Sequence, residues 1–375
     1  MAKIFFCGDI INQFSATQFI SRELRDIITG CDYSVCNLEG VLAHENETYS
    51  SMKQHNTTIS SLREAGFNLA LLANNHITDY GKKELLYTID CLKKEGLEYI
   101  GAGIGYEECY RIHYFTVKDL RFAVINIGES QGGQYDFQYK EYGHAWMGAP
   151  CISSLIKEAK LKADRLILCI HAGLEHYQLP LEQFRDIYRY YCDLGVDVVI
   201  GSHPHIVQGV EEYKGSLIFY SLGNFYFPRK KYDDYMTDKE NQAFSVILSI
   251  SSSDISYDIV YHRIENQLVC LTSKTPFVDI DKLSTMLGDP YYSLLEKQLL
   301  EAFYRLPMNL LRISLNGVSY DDNWFQKIKT MIRYFSKNKE QRKENEYKMN
   351  LLNHVVNNET YRYLVSSVIN KRIYK

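Results

Sequence analysis

Polar side chains that can bind metals or transfer protons follow most of the short apolar runs in this sequence. In chain order these residues are Asp9, Glu39, Asn75 with His76, His171, and His203 with His205. Carboxylate, carboxamide and imidazole groups together suit borderline divalent metals such as zinc, manganese, iron or nickel better than calcium or magnesium. One such ion needs about four to six donors. If these side chains converge, they are numerous enough to hold one ion or two.

Each member of this set also has an ordinary structural explanation. A Gly-Asp pair after a strand, such as Gly8-Asp9, is typical of a turn. Asn75 before His76 is compatible with a helix cap, and Glu39 with a solvated loop acid. The metal interpretation is favoured because all of these residues follow apolar runs, and ligands bind at the carboxyl ends of strands in parallel sheets. The remaining histidines, which include His144 and His262, lack this placement and are predicted to be surface or loop residues.

A repeated pattern of strand and helix between residues 3 and 210 would position these side chains. Apolar, mostly β-branched runs predict strands over residues 4–7, 33–36, 69–73, 122–127, 166–170 and 196–200. Amphipathic spacing predicts helices over residues 15–29, 58–65, 82–95, 152–163 and 181–194. Alternation of this kind predicts a mostly parallel sheet with helices packed on it.

The second half of the chain has a different pattern. Alternating runs within residues 216–263 predict a second, more antiparallel sheet. Residues 280–375 are strongly charged and predict helices over 291–304, 324–335 and 347–356. We therefore divide the chain into a domain of residues 1–265 and a charged helical region of residues 280–375 whose role is open. The Gly- and Tyr-rich span 128–150 predicts a long loop, and loops of that length are usually functional or mobile.

Composition and charge exclude several classes of protein. The 375 residues carry a formal net charge of −4, which argues against a general nucleic-acid binder. No continuous apolar stretch is long enough to span a membrane, and only three residues precede the first apolar run, which leaves no room for a signal peptide. The nine cysteines are scattered without a C-x-x-C pair, which indicates reduced thiols. These features predict a cytoplasmic protein with no integral membrane segment.

The polar clusters extend into longer motifs that resemble the bacterial capsule synthesis CapA family, which is related to poly-γ-glutamate capsule proteins. The motifs are Gly8-Asp9, Asn37-Leu38-Glu39-Gly40, Ala73-Asn74-Asn75-His76 with Asp79 and Gly81, His171-x-Gly173-x-Glu175, Gly201-Ser202-His203-Pro204-His205 with Gln208, and Tyr220-Ser221-Leu222-Gly223-Asn224-Phe225. The resemblance spans residues 3–265 and leaves the chain after residue 280 unmatched.

That family is similar in turn to the calcineurin-like metallophosphoesterases, and this similarity implies a fold and a metal site. The implied fold is a four-layer α/β/β/α sandwich of two sheets between helices, followed here by the C-terminal helical extension. The implied cofactor is a divalent transition metal, manganese, iron or zinc, as one or two ions. By motif position, the ligands of one ion are Glu39, Asn75, His171 and His203, and those of the other are Asp9, Glu39 and His205.

The resemblance also assigns roles to neighbouring residues. His76 matches the catalytic histidine and would protonate a leaving group, while Glu39 would bridge the two ions. Apart from the resemblance, the position of Glu175 four residues after His171 is compatible with orienting a bound imidazole or water and equally with a solvated loop acid, and Asn224 would support the site by holding its loop. Two positions depart from the phosphoesterase pattern: Ile11 stands where a histidine is usual, and Glu39 where an aspartate is usual. The second ion therefore has one ligand fewer.

Three functions remain open at this point. The first is a metal-dependent hydrolase of phosphoesterase type that acts on a small phosphoester or a cell-surface polymer precursor in capsule, exopolysaccharide or poly-γ-glutamate biosynthesis. The second is a non-catalytic accessory or scaffold protein of a polymer-synthesis machine, which binds partner proteins through the helical tail. The third is a nuclease, which the charge balance disfavours because no basic face to follow phosphates is evident.

Overall fold

Two β-sheets that pack face to face form the centre of the protein. The structure, a computed structural model, describes residues 1–13, 17–43, 52–136, 141–228, 239–306 and 339–373. Within them the strands are β1 (Ala2–Ile10), β2 (Tyr33–Leu38), β3 (Val41–Leu42), β4 (Lys53–Gln54), β5 (Leu69–Leu71), β6 (Glu98–Ile100), β7 (Ala102–Ile104), β8 (His113–Val117), β9 (Leu120–Gly128), β10 (Tyr142–His144), β11 (Arg165–His171), β12 (Val198–Ser202), β13 (Val210–Tyr213), β14 (Ser216–Phe219), β15 (Asn224–Tyr226), β16 (Gln242–Ile250), β17 (Ile255–Glu265) and β18 (Leu268–Leu271).

Helices connect these strands and cover the sheets. Their bounds are α1 (Arg22–Thr29), α2 (Thr58–Glu64), α3 (Gly81–Glu95), α4 (Gly105–Cys109), α5 (Ile152–Lys162), α6 (Glu182–Asp193), α7 (Ile280–Thr285), α8 (Tyr291–Arg305), α9 (Lys339–Asn357) and α10 (Glu359–Ile373). The predictions for α2, α3, α5 and α6 differ from the observed ends by no more than one residue, because an apolar face with helical period defines each of them. The helix predicted over 15–29 begins only at Arg22, where the Ser21 hydroxyl accepts a hydrogen bond from the Leu24 amide.

The first sheet has the strand order β18-β17-β16-β1-β2-β5-β6, and β15 also pairs with β1. The second sheet has the order β13-β14-β12-β11-β9-β8. In each sheet the strands at the centre run parallel: β1 with β2 and β2 with β5 in the first, β9 with β11 and β11 with β12 in the second. The carboxyl ends of these parallel strands are the positions at which the sequence predicts a site.

Alternate residues of β1 face opposite sides of the first sheet, as the two-residue period of a strand requires. Phe5 and Cys7 belong to a core cluster that includes residues of α1, α2 and α3. Ile4 and Phe6 belong to a second cluster, which residues of the second sheet complete. Behind the second sheet, α5 packs on β9 and β11, and α6 packs on β12. The layers therefore run helix, sheet, sheet, helix, which confirms the predicted four-layer α/β/β/α fold.

The assignment of strands to sheets differs from the expectation drawn from the runs alone. The six predicted parallel strands do not share one sheet, since three lie in the first and three in the second. Residues 216–263 do not form a sheet of their own: β14 joins the second sheet, whereas β16 and β17 extend the first. The reason is that a strand buried on both faces has the same continuous apolar pattern in either sheet, so the pattern does not specify its partner.

Two compact units divide the described chain, Met1–Tyr291 and Tyr292–Lys375. In the second unit α9 and α10 pack on each other, and the Asn358 side chain accepts a hydrogen bond from the Tyr361 amide at the start of α10 (2.8 Å). The predicted helices 291–304 and 347–356 fall within α8 and α9, while 324–335 lies outside the described residues. None of the helices in the described part of the chain has the length and apolar character that a membrane crossing demands.

His262 and His144 are buried, so the prediction that they are surface or loop residues is wrong. His262 lies on β17, where its Nε2 is 3.0 Å from the Ser245 hydroxyl and its ring meets the Phe225 ring edge-on. Burial lowers the pKa of His262 to about 3. The folded protein therefore holds this ring neutral.

Replacing His262 with Leu should make the free energy of unfolding less dependent on pH. Between the unfolded pKa of about 6.5 and the folded value, the unfolded chain binds one proton more than the native protein, so stability is complete above pH 6.5 and falls as the pH is lowered. For this one ring the slope reaches about 1.4 kcal/mol per pH unit. Chemical unfolding of both proteins between pH 7.5 and 4.5, in the presence of a chelator, measures the difference. Equal slopes would mean that His262 is protonated in the folded state.

Candidate metal centre

The predicted site residues converge where the carboxyl ends of the two sheets meet. Asp9 lies near the end of β1 and Glu39 directly follows β2, both in the first sheet. His171 ends β11, and His203 directly follows β12, both in the second sheet. These four side chains are all at most 1% exposed. The site therefore takes ligand candidates from both sheets and lies in the protein interior.

Close approach of the backbone brings Asp9 into the site. A Cβ atom on Gly8 would overlap the carbonyl oxygen of Gly223, so this position tolerates only glycine. The Asp9 amide then donates a hydrogen bond to that same carbonyl oxygen (3.0 Å). The Gly-Asp pair thus serves the contact between β1 and the segment before β15, in addition to supplying a carboxylate.

Two of the histidines have a strained backbone. The φ angles are +97° at His203 and +60° at His205. Residues with a side chain avoid this left-handed region, and a strained backbone position costs about 1–3 kcal/mol. Such strain is retained where function or the surrounding structure requires it, which favours a functional role for this pair over a simple turn.

The Glu39 carboxylate is the central group of the site. It is fully buried, and neither of its oxygens has a hydrogen-bond partner among the described residues. Its Oε1 lies 3.7 Å from Nε2 of His205, and 3.9 Å from Nε2 of both His171 and His76. These distances are too long for hydrogen bonds. They match ligand atoms that each lie about 2 Å from one shared ion, because such atoms are about 3–4 Å apart.

Two groups of ligand atoms that could hold a metal share this carboxylate. One comprises Glu39, His203 and His205, the other Asp9, Glu39 and His171, and within each group the ligand atoms lie within 4.8 Å of one another. The same Nε2 atom of His171 is also 3.1 Å from Oδ1 of Asn75 and 3.1 Å from Nδ1 of His203. All six predicted ligands are thus neighbours around Glu39, and their division between two ions stays a prediction.

Burial and neighbouring charges shift the pKa values of the site residues. Burial raises the pKa of Glu39 to about 7. Burial alone would lower the pKa of His205, but the Glu39 and Asp9 carboxylates raise it to about 10. Burial lowers the pKa of His203 to about 4 and that of His171 well below its ordinary value, so both rings are neutral and able to bind a metal. The donor set of carboxylate, carboxamide and imidazole groups fits a divalent transition metal.

Asn224 holds His205 in a defined orientation. Its amide NH2 group donates to the carbonyl oxygen of Glu240 (3.2 Å), which leaves Oδ1 facing Nδ1 of His205 (2.9 Å). Since Oδ1 only accepts, Nδ1 of His205 carries the proton, and Nε2 is directed towards Glu39. This arrangement is typical of residues that support metal-binding histidines, whereas the sequence suggested only that Asn224 holds its loop.

His76 lies at the mouth of the site and its side chain is 22% exposed. Its Nδ1 is 2.7 Å from an Asp79 carboxylate oxygen, and its Nε2 is 3.2 Å from the Asn75 amide nitrogen. Burial lowers the pKa of His76, but Asp79 outweighs that effect and raises it. The ring therefore tends to carry a proton and to present Nε2 to the site.

Glu175 and Ile11, the two remaining positions named in the sequence analysis, lie at the edge of the ligand set. Glu175 is 41% exposed, and its Oε1 is 3.7 Å from Nε2 of His203, which is beyond hydrogen-bonding distance. Burial raises the pKa of Glu175, yet the imidazoles of His203 and His205 lower it to about 2. Ile11 is completely buried and its side chain offers no ligand atom.

Three polar residues of the site were not among the predicted ones. Asn37 donates to an Asp9 carboxylate oxygen (2.6 Å), and Gln131 donates to Glu129 (2.9 Å). Glu129 directly follows β9, the position that identified the other ligands, but it was included in the predicted 128–150 loop. That span contains β10, and its residues 137–140 lie outside the described chain. Applying the strand-end criterion to β9 would have found Glu129.

Comparisons with known proteins give a consistent picture of the first 229 residues. Residues 3–229 match the family model described as "Bacterial capsule synthesis protein PGA_cap". The capsule biosynthesis protein CapA of Bacillus anthracis is 30% identical over 230 residues, which is 58% of this chain and 56% of that protein. The PGA biosynthesis protein CapA of Bacillus subtilis is 27% identical over 236 residues, or 59% of this chain and 62% of that protein. The chain therefore spans less than two thirds of the length of these curated relatives.

Solved structures resemble the protein more distantly. A proposed 5'-nucleotidase from Staphylococcus aureus, solved with alpha-ketoglutarate, aligns with 77% of this chain and 58% of its own, at 16% identity and a TM-score of 0.47. Because the TM-score is below 0.5, this alignment bears on neither the activity nor the ligand.

Replacing Glu39 with Gln should abolish most of the stabilisation that a divalent metal gives. The substitution keeps the shape of the side chain but removes the negative charge shared by both ligand groups. For the wild-type protein, free ion at 100 times its Kd should add about 2.7 kcal/mol to the free energy of unfolding. Thermal unfolding with and without Mn²⁺, after treatment with a chelator, measures this gain. Glu84→Gln, a buried glutamate on α3, is the control and should keep it. An undiminished gain in Glu39→Gln would refute the central place of Glu39.

Proposed function

This chain belongs to the family of bacterial capsule synthesis proteins, PGA_cap, and we propose that it is a metal-dependent hydrolase of the phosphoesterase type. Its biological role would be in the biosynthesis of capsule, exopolysaccharide or poly-γ-glutamate polymers. The names of its two Bacillus relatives support that role. The proposed substrates are a precursor of such a polymer or a small phosphoester.

One observation carries the enzymatic part of the proposal. The buried Glu39 carboxylate has no hydrogen-bond partner among the described residues, while nitrogen atoms of three imidazoles surround it at 3.7–3.9 Å. An unpaired buried carboxylate costs several kcal/mol unless a cation or donors compensate it. A structural loop acid has no need of such an arrangement, whereas a bridging metal ligand requires it.

The proposed ligands are those named above, with Glu39 common to one or two ions of manganese, iron or zinc. Divalent ions at such a site supply a nucleophilic hydroxide near neutral pH and stabilise the charge that develops on a phosphoester. The protein's own contribution is to keep the imidazoles of His171 and His203 neutral through burial, and to orient His205 through Asn224.

His76 is the proposed general acid. Asp79 contacts Nδ1 of the ring and favours its protonated form. In that form Nε2, which faces the Asn75 amide nitrogen (3.2 Å), would turn its proton to a leaving-group oxygen at the mouth of the site. General acids of this kind contribute about 10²–10⁴-fold to the rate. Glu175, exposed at the same mouth, is placed to orient a water molecule.

A non-catalytic accessory role is the second candidate, and Ile11 is the observation that favours it. This buried apolar side chain occupies the position at which phosphoesterases usually carry a further histidine ligand. The set of Asp9, Glu39 and His205 then offers one ion only three protein ligands. In an accessory protein the remaining ion would have a structural role, and the helical region after residue 280 would bind a protein of the polymer-synthesis machinery. The cytoplasmic location expected from the sequence stays a prediction.

Metal content and hydrolysis, measured on the same samples, distinguish the two functions. We expect elemental mass spectrometry of the wild-type protein to find one or two equivalents of transition metal, and His203→Ala to lose it. p-Nitrophenyl phosphate and bis(p-nitrophenyl) phosphate, assayed with added Mn²⁺, should be hydrolysed by the wild type alone. Bound metal without turnover of either compound would favour the accessory role. Absence of stoichiometric metal after reconstitution would refute the metal centre itself.

Replacing His76 with Gln should separate proton transfer from metal binding. We expect kcat to fall by about 10²–10⁴-fold, because the leaving group loses its proton donor, while the metal content stays at the wild-type level. His113→Gln is the matched control, since His113 contacts Tyr33 on β2 and is not among the proposed site residues. A metal content that falls in parallel with the rate would show that His76 is a ligand rather than the acid.

A further inference from the structure

Glu129 is a buried carboxylate beside the metal centre that has no place in the ligand set. It directly follows β9 and is 1% exposed. Its Oε1 accepts a hydrogen bond from the Gly173 amide (3.1 Å) and one from the Gln131 side chain (2.9 Å). The same oxygen lies 3.2 Å from Nε2 of His203. Glu129 thus connects the ends of β9, β11 and β12.

The orientation of His203 makes this contact chemically specific. Nδ1 of His203 faces the centre of the site, 3.1 Å from Nε2 of His171, whereas Nε2 faces away from it, 3.0 Å from the Gln131 amide nitrogen and 3.2 Å from Oε1 of Glu129. An imidazole that binds a metal through one nitrogen carries its proton on the other. Ligation through Nδ1 therefore requires an acceptor for the proton on Nε2. The Gln131 amide nitrogen can only donate, so of the two groups beside Nε2 the Glu129 carboxylate is the one that can accept this proton.

Glu129 also acts on a second predicted ligand through Gln131. The Gln131 side chain donates to Glu129, and its Oε1 accepts from the Asn75 amide nitrogen (3.2 Å). This bond fixes which end of the Asn75 amide faces the site, and Oδ1 is left 3.1 Å from Nε2 of His171. One buried carboxylate is therefore connected to the orientation of both His203 and Asn75.

We propose that Glu129 is a positioning residue of this centre, which holds His203 in the tautomer that binds a metal through Nδ1 and, through Gln131, orients Asn75. This inference rests on the proposed metal centre and extends it. Carboxylates that accept the second ring proton of a ligating histidine raise its basicity and fix its orientation, and their loss typically weakens metal affinity by about 10–100-fold.

Glu175, the residue that the sequence suggested for this task, is less suited to it. Its carboxylate is 3.7 Å from Nε2 of His203 and 41% exposed, so water competes with it for the imidazole. Glu129 is closer and excluded from solvent.

The test compares the affinity for Mn²⁺ of the metal-free wild type, Glu129→Gln and Glu129→Asp. We expect Glu129→Gln to bind Mn²⁺ about 10–100-fold more weakly, and Glu129→Asp, which keeps the charge, to recover part of the loss. Glu108→Gln is the control, because Glu108 likewise accepts a backbone hydrogen bond, from the Ile104 amide (2.7 Å), on the remote helix α4. It should bind Mn²⁺ as the wild type does. Affinity in Glu129→Gln within threefold of wild type would overturn the proposal.

A second measurement uses the wild-type protein and is independent of how the variants fold. In the zinc-loaded protein, ¹⁵N NMR of the histidine rings should show His203 with a proton on Nε2 and none on Nδ1. The opposite tautomer would overturn the proposal. Affinity and ring protonation do not depend on turnover. A protein that binds metal but hydrolyses nothing would therefore count against the hydrolase function and leave the role of Glu129 open to these tests.

Discussion

The burial of two carboxylates, those of Asp9 and Glu39, is the constraint on which the rest of the site depends. Both side chains are completely excluded from solvent, and the oxygens of Glu39 lack hydrogen-bond partners among the described residues. Transfer of such charges from water into the protein interior is costly unless they are compensated. The imidazoles around them, the amide of Asn37 on Asp9 and the raised pKa of His205 all reflect the need for positive charge or donors at this point.

Because the fold has two sheets packed face to face, the site receives side chains from both of them. The first sheet brings the carboxylates, and the second brings His171 and His203 from strands that the chain reaches more than 120 residues later. The left-handed backbone at His203 and His205 turns both rings towards the carboxylates at the expense of local strain. That strain is tolerated because the adjoining strands, β12 and β15, are buried and paired on the two sides of the site.

Sequence reasoning identified the residues that converge at the site better than it identified the sheets. Asp9, Glu39 and His171 were identified because strand ends in parallel sheets are where ligands bind, and the fold brings them together as that rule requires. The division of the strands between two sheets could not be predicted from the apolar runs, since a strand buried on both faces has the same apolar pattern wherever it pairs. Asn37 was part of a strand-end motif but was given no role, and Glu129 was missed because the residues after β9 were interpreted as a long loop.

The order in which the chain supplies these groups has a consequence for the maturation of the protein. Asp9 is synthesised before the other residues of the site, whereas Asn224, which orients His205, is made more than 200 residues later. The site cannot be complete until β15 has paired with β1 across that interval. Nascent chains generally fold as whole domains once enough sequence is available, so ion capture is coupled to completion of the sandwich. A bound metal ion would then indicate that β1 and β15, the first and last strands around the site, have paired.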